Sequence, residues 1–429
     1  MISKEQREKI IALINREVVP AIGCTEPMAV SLCVARATEV LGAIPEKIEV
    51  LLSANMLKNA MGVGIPGTGM VGLPIAVALG ALIGKSEYGL EVLRDVNPAA
   101  VEQGKQYLDK ISLKIGLKEN CPDKLYIEIN AHAGDAQATT VIAREHTHFI
   151  RVSRGDEVLL DKPLGKAEEG IEEKELDLRT VYEFATTAPL EELEFIKEAR
   201  RLNENAAREA LKGNYGHSLG KTLSRPLGRG IMGDSIFSHI LSATSAACDA
   251  RMAGAPIPVM SNSGSGNQGI SCTMPVVVYA EENHNTDEEL TRALILSHLT
   301  AIYIKQSLGK LSALCGCVVS STGSACGITY LMGGNYDQVA YSVKNMIANL
   351  AGMVCDGAKP SCALKVSSGV STAVLSAMLA IQNRYVTSAE GLIEDDVDRC
   401  IHNLTRVGGD GMNETDRTVL DIMTHKGCV

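Results

Sequence analysis

Residues 125–152 read LYIEINAHAGDAQATTVIAREHTHFIRV, and this stretch decides the fold class of the chain. Apolar and polar residues alternate, as in half-buried strands, in three runs: residues 125–129, 139–143 and 147–152. Residues 144–146 (REH) and 154–156 (RGD) are turn signals that end two of these runs. We therefore predict a β-rich segment over residues 124–162.

Helical patterns and one further strand surround this segment. The run KIEVLLS at residues 47–53 alternates like a strand, whereas residues 5–18 and the stretch after Thr25 have helical spacing. After Leu176 the pattern turns helical, and strand signals are few in the Ala/Gly/Ser-rich remainder. We predict an α+β fold. Its predicted domains are an α/β portion over residues 1–190 and a mostly helical domain over residues 191–429.

Charge and composition restrict the partners and the compartment. The chain of 429 residues has a net charge of −10 without a compensating Lys/Arg cluster, so we expect no nucleic-acid partner. Aromatic residues make up only 3% and Gly counts 40, which favours closely packed helices with small residues at their crossings. Twelve cysteines occur without an export signal at the N-terminus, which predicts a cytoplasmic protein with reduced thiols.

Residues 60–84 contain no charged residue and are long enough for a membrane span. Five residues interrupt the first half of this stretch: Pro66, Gly67, Gly69, Gly72 and Pro74. They leave too short a helix to cross a bilayer. We predict a Gly-rich loop that leads into a buried helix and expect no membrane association, with a small-solute carrier as the alternative.

Cysteines in the helical half are candidates for metal ligation. A short loop containing Gly and Pro separates Cys355 from Cys362 and can bring two thiolates to one metal centre. Cys315 or Cys317 can supply a third thiolate. Three protein ligands would leave one iron of an iron–sulfur cluster open as a Lewis acid. Spacing alone favours the alternative that these are merely buried thiols.

Cys24, in the run IGCTEP, is a candidate base or nucleophile. It lies just ahead of a predicted helix, where exposed N–H groups and the helix dipole lower the pKa of a thiol. A structural thiol at a tight Gly turn is an equally good interpretation of the local sequence.

Two polar segments are candidates for substrate binding. The run SNSGSGNQG at residues 261–269 offers amides and hydroxyls that suit a carboxylate, and it lacks the ending of a phosphate loop. The run SANMLKN at residues 53–59 follows a strand end, where polar side chains often face ligands. A flexible linker and a solvated turn are the alternatives. The candidate residues are Ser53, Asn55, Lys58, Ser261, Asn262, Ser263, Gly264, Asn267 and Gln268.

Together these motifs resemble those of the L-cysteine desulfidase family, which is related to the α domain of iron–sulfur L-serine dehydratases. The resemblance covers nearly the whole chain. Five motifs carry it: PAIGCTEP at 20–27, SANMLKNAMGVGIPGTG at 53–69, SNSGSGNQG at 261–269, LCGC at 314–317 and MVCDGAKPSCALKV at 353–366. The first and the last are the most specific.

The resemblance implies a [4Fe–4S] cluster held by Cys315, Cys355 and Cys362, with Cys317 as the alternative to Cys315. It implies that Cys24 is the catalytic thiol and that the loop at residues 261–269 grips the substrate carboxylate. The implied reaction is β-elimination of L-cysteine to pyruvate, ammonia and sulfide. We expect a small amino-acid substrate and a homo-oligomer.

Other functions remain open at this stage. An L-serine dehydratase on the same cluster is the nearest alternative. A non-catalytic metal- or sulfur-binding protein and a pyridoxal-phosphate lyase with Lys58 as the Schiff-base lysine belong to other classes. Cys428 is a candidate cap for the open iron, as in some dehydratase relatives, although a frayed tail is the simpler interpretation.

Overall fold

The computed structural model of the protein describes residues 2–162, 164, 176–309 and 312–425. It confirms the predicted α+β fold, because helices predominate and a smaller mixed sheet lies in the N-terminal half. The strands are β1 (Pro20–Ile22), β2 (Lys47–Leu52), β3 (Ser112–Leu117), β4 (Tyr126–Ala133), β5 (Ala136–Ala143), β6 (Phe149–Arg154), β7 (Glu157–Asp161) and β8 (Pro258–Met260).

Helices occupy most of the remaining described ranges. In the N-terminal half they are α1 (Lys4–Glu17), α2 (Thr25–Leu41), α3 (Ala54–Ala60), α4 (Leu73–Leu82), α5 (Pro98–Leu108), α6 (Leu178–Thr187) and α7 (Lys197–Lys212). They continue as α8 (Leu219–Ser224), α9 (Pro226–Met232), α10 (Ile236–Met252), α11 (Gly266–Glu282), α12 (Asp287–Leu308), α13 (Gly316–Leu331), α14 (Tyr336–Leu350), α15 (Cys362–Ile381), α16 (Val397–Arg406) and α17 (Asn413–Thr424). Short 3-10 helices (Ser86–Glu91, Leu190–Glu192, Glu194–Ile196) and a π-helical turn (Val407–Gly411) connect some of them.

The predicted β-rich segment forms most of the main sheet. Its strand order is β3–β2–β4–β5–β6–β7, with β2 and β3 parallel and the other neighbours antiparallel. The predicted turn signals lie between strands as expected: Arg144, with φ 69°, follows β5, and Gly155, with φ 54°, joins β6 to β7. In β2, Ile48, Val50 and Leu52 are fully buried on one face, which explains the alternating pattern.

Small residues lie where the helices of the C-terminal half cross, as predicted. A Cβ on Gly323 of α13 would lie 2.2 Å from the carbonyl oxygen of Ser297 in α12. A Cβ on Gly327, one turn further, would lie 3.0 Å from the carbonyl oxygen of Ala293. Any larger residue at Gly323 or Gly327 would push α12 and α13 apart, so these two glycines permit the close packing of the helices.

The uncharged stretch forms a loop followed by the short helix α4, most of whose residues are buried. This confirms the predicted Gly-rich loop and buried helix. Within the described parts of the chain, one helix, α15, is long and apolar enough to cross a membrane. Half of its most apolar window is buried inside the protein, and a single helix of this kind is weak evidence for a membrane span.

A two-stranded sheet joins distant parts of the chain. β1 pairs antiparallel with β8, so that Ala21 lies opposite Val259. This pairing places the turn before α2 beside the loop that precedes α11. Ile10 and Ile14 of α1 belong to the large apolar cluster of the helical half. The boundary predicted near residue 190 stays a prediction, because apolar packing alone does not define folding units.

Candidate active site

A cavity of about 150 Å³ brings most of the predicted site residues together. Its lining includes Cys24, Ser263, Gly264, Asn267, Gln268, Cys315, Cys317, Cys355 and Cys362. A larger groove of about 760 Å³ on α14 and α15 is lined mainly by aliphatic and amide side chains, without a thiol or a cation. The smaller cavity is therefore the candidate site, because the reactive groups gather there.

Four helices begin at this cavity. Cys24 is the N-cap of α2, Ser265 is the N-cap of α11, Cys315 is the N-cap of α13, and Cys362 is the first residue of α15. Each helix N-terminus presents backbone N–H groups and the positive end of a helix dipole. The backbone thus favours negatively charged groups in the cavity, such as thiolates and carboxylates.

A short antiparallel bridge between Leu314 and Val354 places Cys315 beside Cys355. The backbone N–H groups of Cys315 and Cys355 each donate to a carbonyl oxygen of the opposite segment, at 2.9 and 2.6 Å. These bonds satisfy the backbone at the start of α13 and fix the positions of both cysteines. The two thiols lie close enough to shift each other's pKa.

Lysine contacts fix the loop between Cys355 and Cys362. Lys365 Nζ donates to the carbonyl oxygen of Val354 at 2.7 Å and forms an ion pair with Asp356. Lys359 Nζ lies 2.5 Å from the same carboxylate. The two ammonium groups hold the pKa of Asp356 at about 2, against the effect of its burial.

Gly357 permits the sharp turn of this loop. It has φ 89°, and a Cβ at this position would lie 2.3 Å from the carbonyl oxygen of Lys58. Only glycine fits such a conformation and such a close contact. Because the loop folds back here, Cys355 and Cys362 both line the cavity, and Cys362 Sγ lies 3.6 Å from the carbonyl oxygen of Gly357.

The four thiols of this region suit an iron–sulfur cluster better than a single metal ion. Among the residues that the structure describes, no group of three or more His, Cys, Asp or Glu is arranged to hold one ion. The cysteines of a [4Fe–4S] cluster bind different iron atoms, so their sulfurs need not converge on one point. The hydrogen bond with Cys317 raises the pKa of Cys315, and that with Cys315 raises the pKa of Cys355. Such neighbouring thiols lose their protons together only when cations bind them.

Cys24 is deeply buried, with 1% of its surface exposed, and lies beside Arg251. Burial raises the pKa of the Cys24 thiol to about 12, and Arg251 partly opposes this shift. Desolvation thus outweighs the helix N-terminus that we expected to lower the pKa. The neighbouring Thr25 Oγ1 donates to the carbonyl oxygen of Gly264 at 3.2 Å and ties the start of α2 to the candidate binding loop.

The first residues of the candidate binding loop have structural contacts. Ser261 Oγ donates to the carbonyl oxygen of Val19 at 2.6 Å, next to the β1–β8 pair. Asn262 Nδ2 lies 3.1 Å from Nδ1 of His298 in the core. Neither Ser261 nor Asn262 lines the cavity. They anchor the loop instead.

The remaining loop residues direct the chain towards the cavity. Ser263 and Gly264 have φ 48° and φ 79°, a left-handed turn that precedes α11. Asn267 and Gln268 follow in the first turn of α11 and line the cavity. Their side-chain carbonyl oxygens are buried and have no hydrogen-bond partner in the described part of the protein. Unsatisfied buried acceptors of this kind are typical of ligand sites.

The strand-end segment lies next to the cavity and reaches it through Asn59. Ser53 caps α3 and donates to the carbonyl oxygen of Lys124 at 2.7 Å, and Asn55 is buried. Lys58 is 1% exposed and forms an ion pair with Asp416 of α17. None of Ser53, Asn55 and Lys58 lines the cavity. Cys428 lies outside the described residues.

Sequence reasoning missed several charged or titratable residues of the lining: Glu26, His146, Arg251, Lys305 and Lys365. Asn59 Nδ2 donates to Glu26 Oε1 at 3.2 Å. Burial lowers the pKa of Lys305 to about 8, although the thiols of Cys355 and Cys315 oppose this effect. Lys305 is the only Lys, Arg, Asp or Glu in residues 293–308, and such an isolated charge in an apolar run is a signal that marks a site.

Comparisons with known proteins agree with this geometry. The chain is 69% identical over 427 residues to a UPF0597 protein of Bacteroides fragilis, covering 99% of this chain and 100% of the relative. It is 68% identical to one of Phocaeicola vulgatus, over the full length of both, and 48% identical to one of Oleidesulfovibrio alaskensis, over 99% of each. A family model, described as serine dehydratase alpha chain, matches residues 87–421 and thus every cysteine of the cavity except Cys24. The chain belongs to the serine dehydratase alpha chain family.

Proposed function

We propose that the protein is an iron–sulfur-dependent lyase that splits L-cysteine into pyruvate, ammonia and sulfide. One observation carries this proposal: Cys24 and the four thiols of Cys315, Cys317, Cys355 and Cys362 line a single cavity at which four helices begin. Membership of a dehydratase family supports a lyase that eliminates a β-substituent from an amino acid.

Cys315, Cys355 and Cys362 are the proposed ligands of a [4Fe–4S] cluster. When bound, a cluster with three protein ligands supplies an open iron, a Lewis acid that activates the leaving group of the substrate. Cys317 remains the alternative to Cys315. Cys315 is preferred because it caps α13 beside Cys355, whereas Cys317 Sγ contacts Met353 Sδ at 3.1 Å. The cations of Lys305 and Lys365 in the lining offset the negative charge of the thiolates.

Cys24 is the proposed base that removes the α-proton. In the resting protein its Sγ holds a proton, because burial raises the pKa of this thiol to about 12. Cys24 therefore acts as the base only in its thiolate form, after this first proton has passed to solvent. Arg251 is the adjacent cation that favours the thiolate. As the α-proton passes to Cys24, the carbon–sulfur bond breaks and its electrons leave with sulfide. The remaining aminoacrylate tautomerises and hydrolyses to pyruvate and ammonia in water.

The cavity also supports a small amino acid as substrate. The proposed cluster would share the volume of about 150 Å³, which favours a compact substrate. Ser263, Gly264, Asn267 and Gln268 of the candidate binding loop provide polar groups for the amino-acid head. The other candidate residues do not line the cavity and instead support the segments that do: Ser53, Asn55, Lys58, Ser261 and Asn262. The homo-oligomer and the cytoplasmic location stay predictions.

Anaerobic reconstitution with iron and sulfide, followed by assays of sulfide and pyruvate, tests the proposal. We expect both products from L-cysteine, and a higher kcat/KM for L-cysteine than for L-serine. A higher kcat/KM for L-serine would favour the dehydratase alternative, which the family description supports. If the protein binds iron but forms no pyruvate from either amino acid, the result would favour a non-catalytic metal- or sulfur-binding protein.

A further inference from the structure

We propose that Arg251, together with the first turn of α11, binds the carboxylate of the amino-acid substrate. The inference deepens the proposed function and rests on it only for the nature of the ligand. Lys58, a substrate-binding candidate from the sequence, is paired with Asp416 outside the cavity. A different cation is needed, and the described lining contains Arg251, which has no ion pair with a carboxylate.

Arg251 is a buried cation without a carboxylate. Only 4% of its surface is exposed, and its side chain lines the cavity. Its Nε has no hydrogen-bond partner, Nη1 contacts the sulfur of Met252 at 3.7 Å, and the guanidinium also interacts with the thiol of Cys24. It forms no ion pair with any carboxylate in the described ranges. An unpaired buried guanidinium lowers the stability of the protein through its desolvation cost. A bound anion would offset this cost.

The position of Arg251 adds a second electrostatic argument. It lies in the last turn of α10, and its side chain runs along the N-terminus of α11. A Cβ on Gly266, the first residue of α11, would lie 2.2 Å from Arg251 Nε. The guanidinium and the positive end of the α11 dipole therefore repel each other. An anion bound by both would remove this repulsion, as at other helix N-termini that hold carboxylates.

The residues after Gly266 complement an amino-acid zwitterion. The side-chain oxygens of Asn267 and Gln268 are buried acceptors without partners, and both side chains line the cavity. They suit the ammonium group of a substrate whose carboxylate lies at Arg251. Among the other cations of the lining, Lys365 pairs with Asp356, whereas the charges that act on Lys305 are those of the metal-ligand candidates Cys355 and Cys315 and of Glu26.

A pair of ligands that differ only in the carboxylate tests this inference. Anaerobic calorimetry on the reconstituted protein measures the affinities of mercaptopropionate and the matching mercaptopropanol, and the visible absorbance of the cluster reports its integrity. We expect the wild-type protein to prefer the carboxylate. In Arg251→Gln this preference falls by about tenfold to a hundredfold, because a charge-assisted hydrogen bond is lost. Arg251→Lys retains part of it.

A second variant moves the guanidinium without removing its charge. The methyl group of Gly266→Ala would occupy the place of Arg251 Nε, so we expect the carboxylate preference to fall here too. Arg36→Gln, at an exposed ion pair with Glu39, is the matched control and keeps the wild-type preference. If Arg251→Gln does not fold, Arg251→Lys and Gly266→Ala decide the question.

Two results would overturn the inference. One is an unchanged preference in Arg251→Gln and Gly266→Ala. The other is an equal loss of affinity for both ligands, which would indicate a structural role for Arg251. Because ligand binding is measured without turnover, the carboxylate preference stands or falls independently of whether L-cysteine is the substrate.

Discussion

Cys315 and Cys355 lie on two separate segments, which a backbone bridge between Leu314 and Val354 holds together. Both backbone bonds of this bridge come from the cysteines themselves. The bridge that positions the thiols is thus formed by main-chain hydrogen bonds. A Ser substitution at either position leaves the bridge intact and removes only the sulfur, so the effect on metal binding can be separated from the effect on folding.

The first prediction concerns the proposed cluster ligands. Cys355→Ser and Cys362→Ser lose cluster iron and activity, because a hydroxyl is a poor ligand for iron compared with a thiolate. Iron and sulfide analysis after anaerobic reconstitution measures the loss. Cys326→Ser, at a buried cysteine of α13 outside the cavity, is the control and retains iron. Full iron content and activity in Cys355→Ser and Cys362→Ser would contradict the proposed function.

The second prediction separates Cys315 from Cys317. Cys315→Ser loses the cluster, whereas Cys317→Ser keeps it, since Cys317 Sγ contacts Met353 Sδ and the carbonyl oxygen of Lys365. The visible absorbance of the two reconstituted variants, measured side by side, tests this assignment. The reverse result would make Cys317 the third ligand and leave the rest of the site as proposed.

The third prediction concerns the ion pair of Lys58 and Asp416. Asp416→Asn leaves the fully buried Lys58 ammonium without its anion, so the free energy of unfolding falls by about 3 kcal/mol. Urea unfolding followed by circular dichroism measures the change, since the chain has no Trp for fluorescence. Glu414→Gln, at an exposed ion pair with Arg417, changes the stability by less than about 0.5 kcal/mol. Equal effects of Asp416→Asn and Glu414→Gln would show that Lys58 does not depend on Asp416.

The fourth prediction concerns pH. Burial lowers the pKa of His298 to about 3, below its ordinary value in an unfolded chain. When the pH falls through that ordinary value, His298 binds a proton in the unfolded chain but not in the folded protein. Stability is therefore lost on acidification. Between about pH 7 and about pH 5 the free energy of unfolding falls by about 2 kcal/mol for this reason.

The variant His298→Gln tests this linkage. Gln does not titrate and can bond with Asn262 and Thr273, as His298 does. Urea unfolding at both pH values should therefore show a smaller loss of stability on acidification than in the wild-type protein. An equal loss in both proteins would assign the acid sensitivity to other groups.

Local patterns predicted the elements of this protein, and motifs predicted most of its site. The strands within residues 125–152 and the loop within residues 60–84 depend on patterns that extend over only a few residues. These elements could therefore be predicted from the sequence. The cavity depends on pairings between distant segments. Arg251 becomes a neighbour of Cys24 only because β1 pairs with β8, and Lys58 meets a partner 358 residues away. No local pattern contains such contacts.

The four helix N-termini at the cavity have a consequence for damage and repair. Backbone amides neither titrate nor react with oxygen, so their attraction for anions survives when metal is lost or a thiol is oxidised. If the proposed cluster were lost, the four helix N-termini would still favour anionic ligands in the cavity. We therefore expect the backbone to attract thiolates and inorganic sulfide to the same place when the proposed cluster is rebuilt.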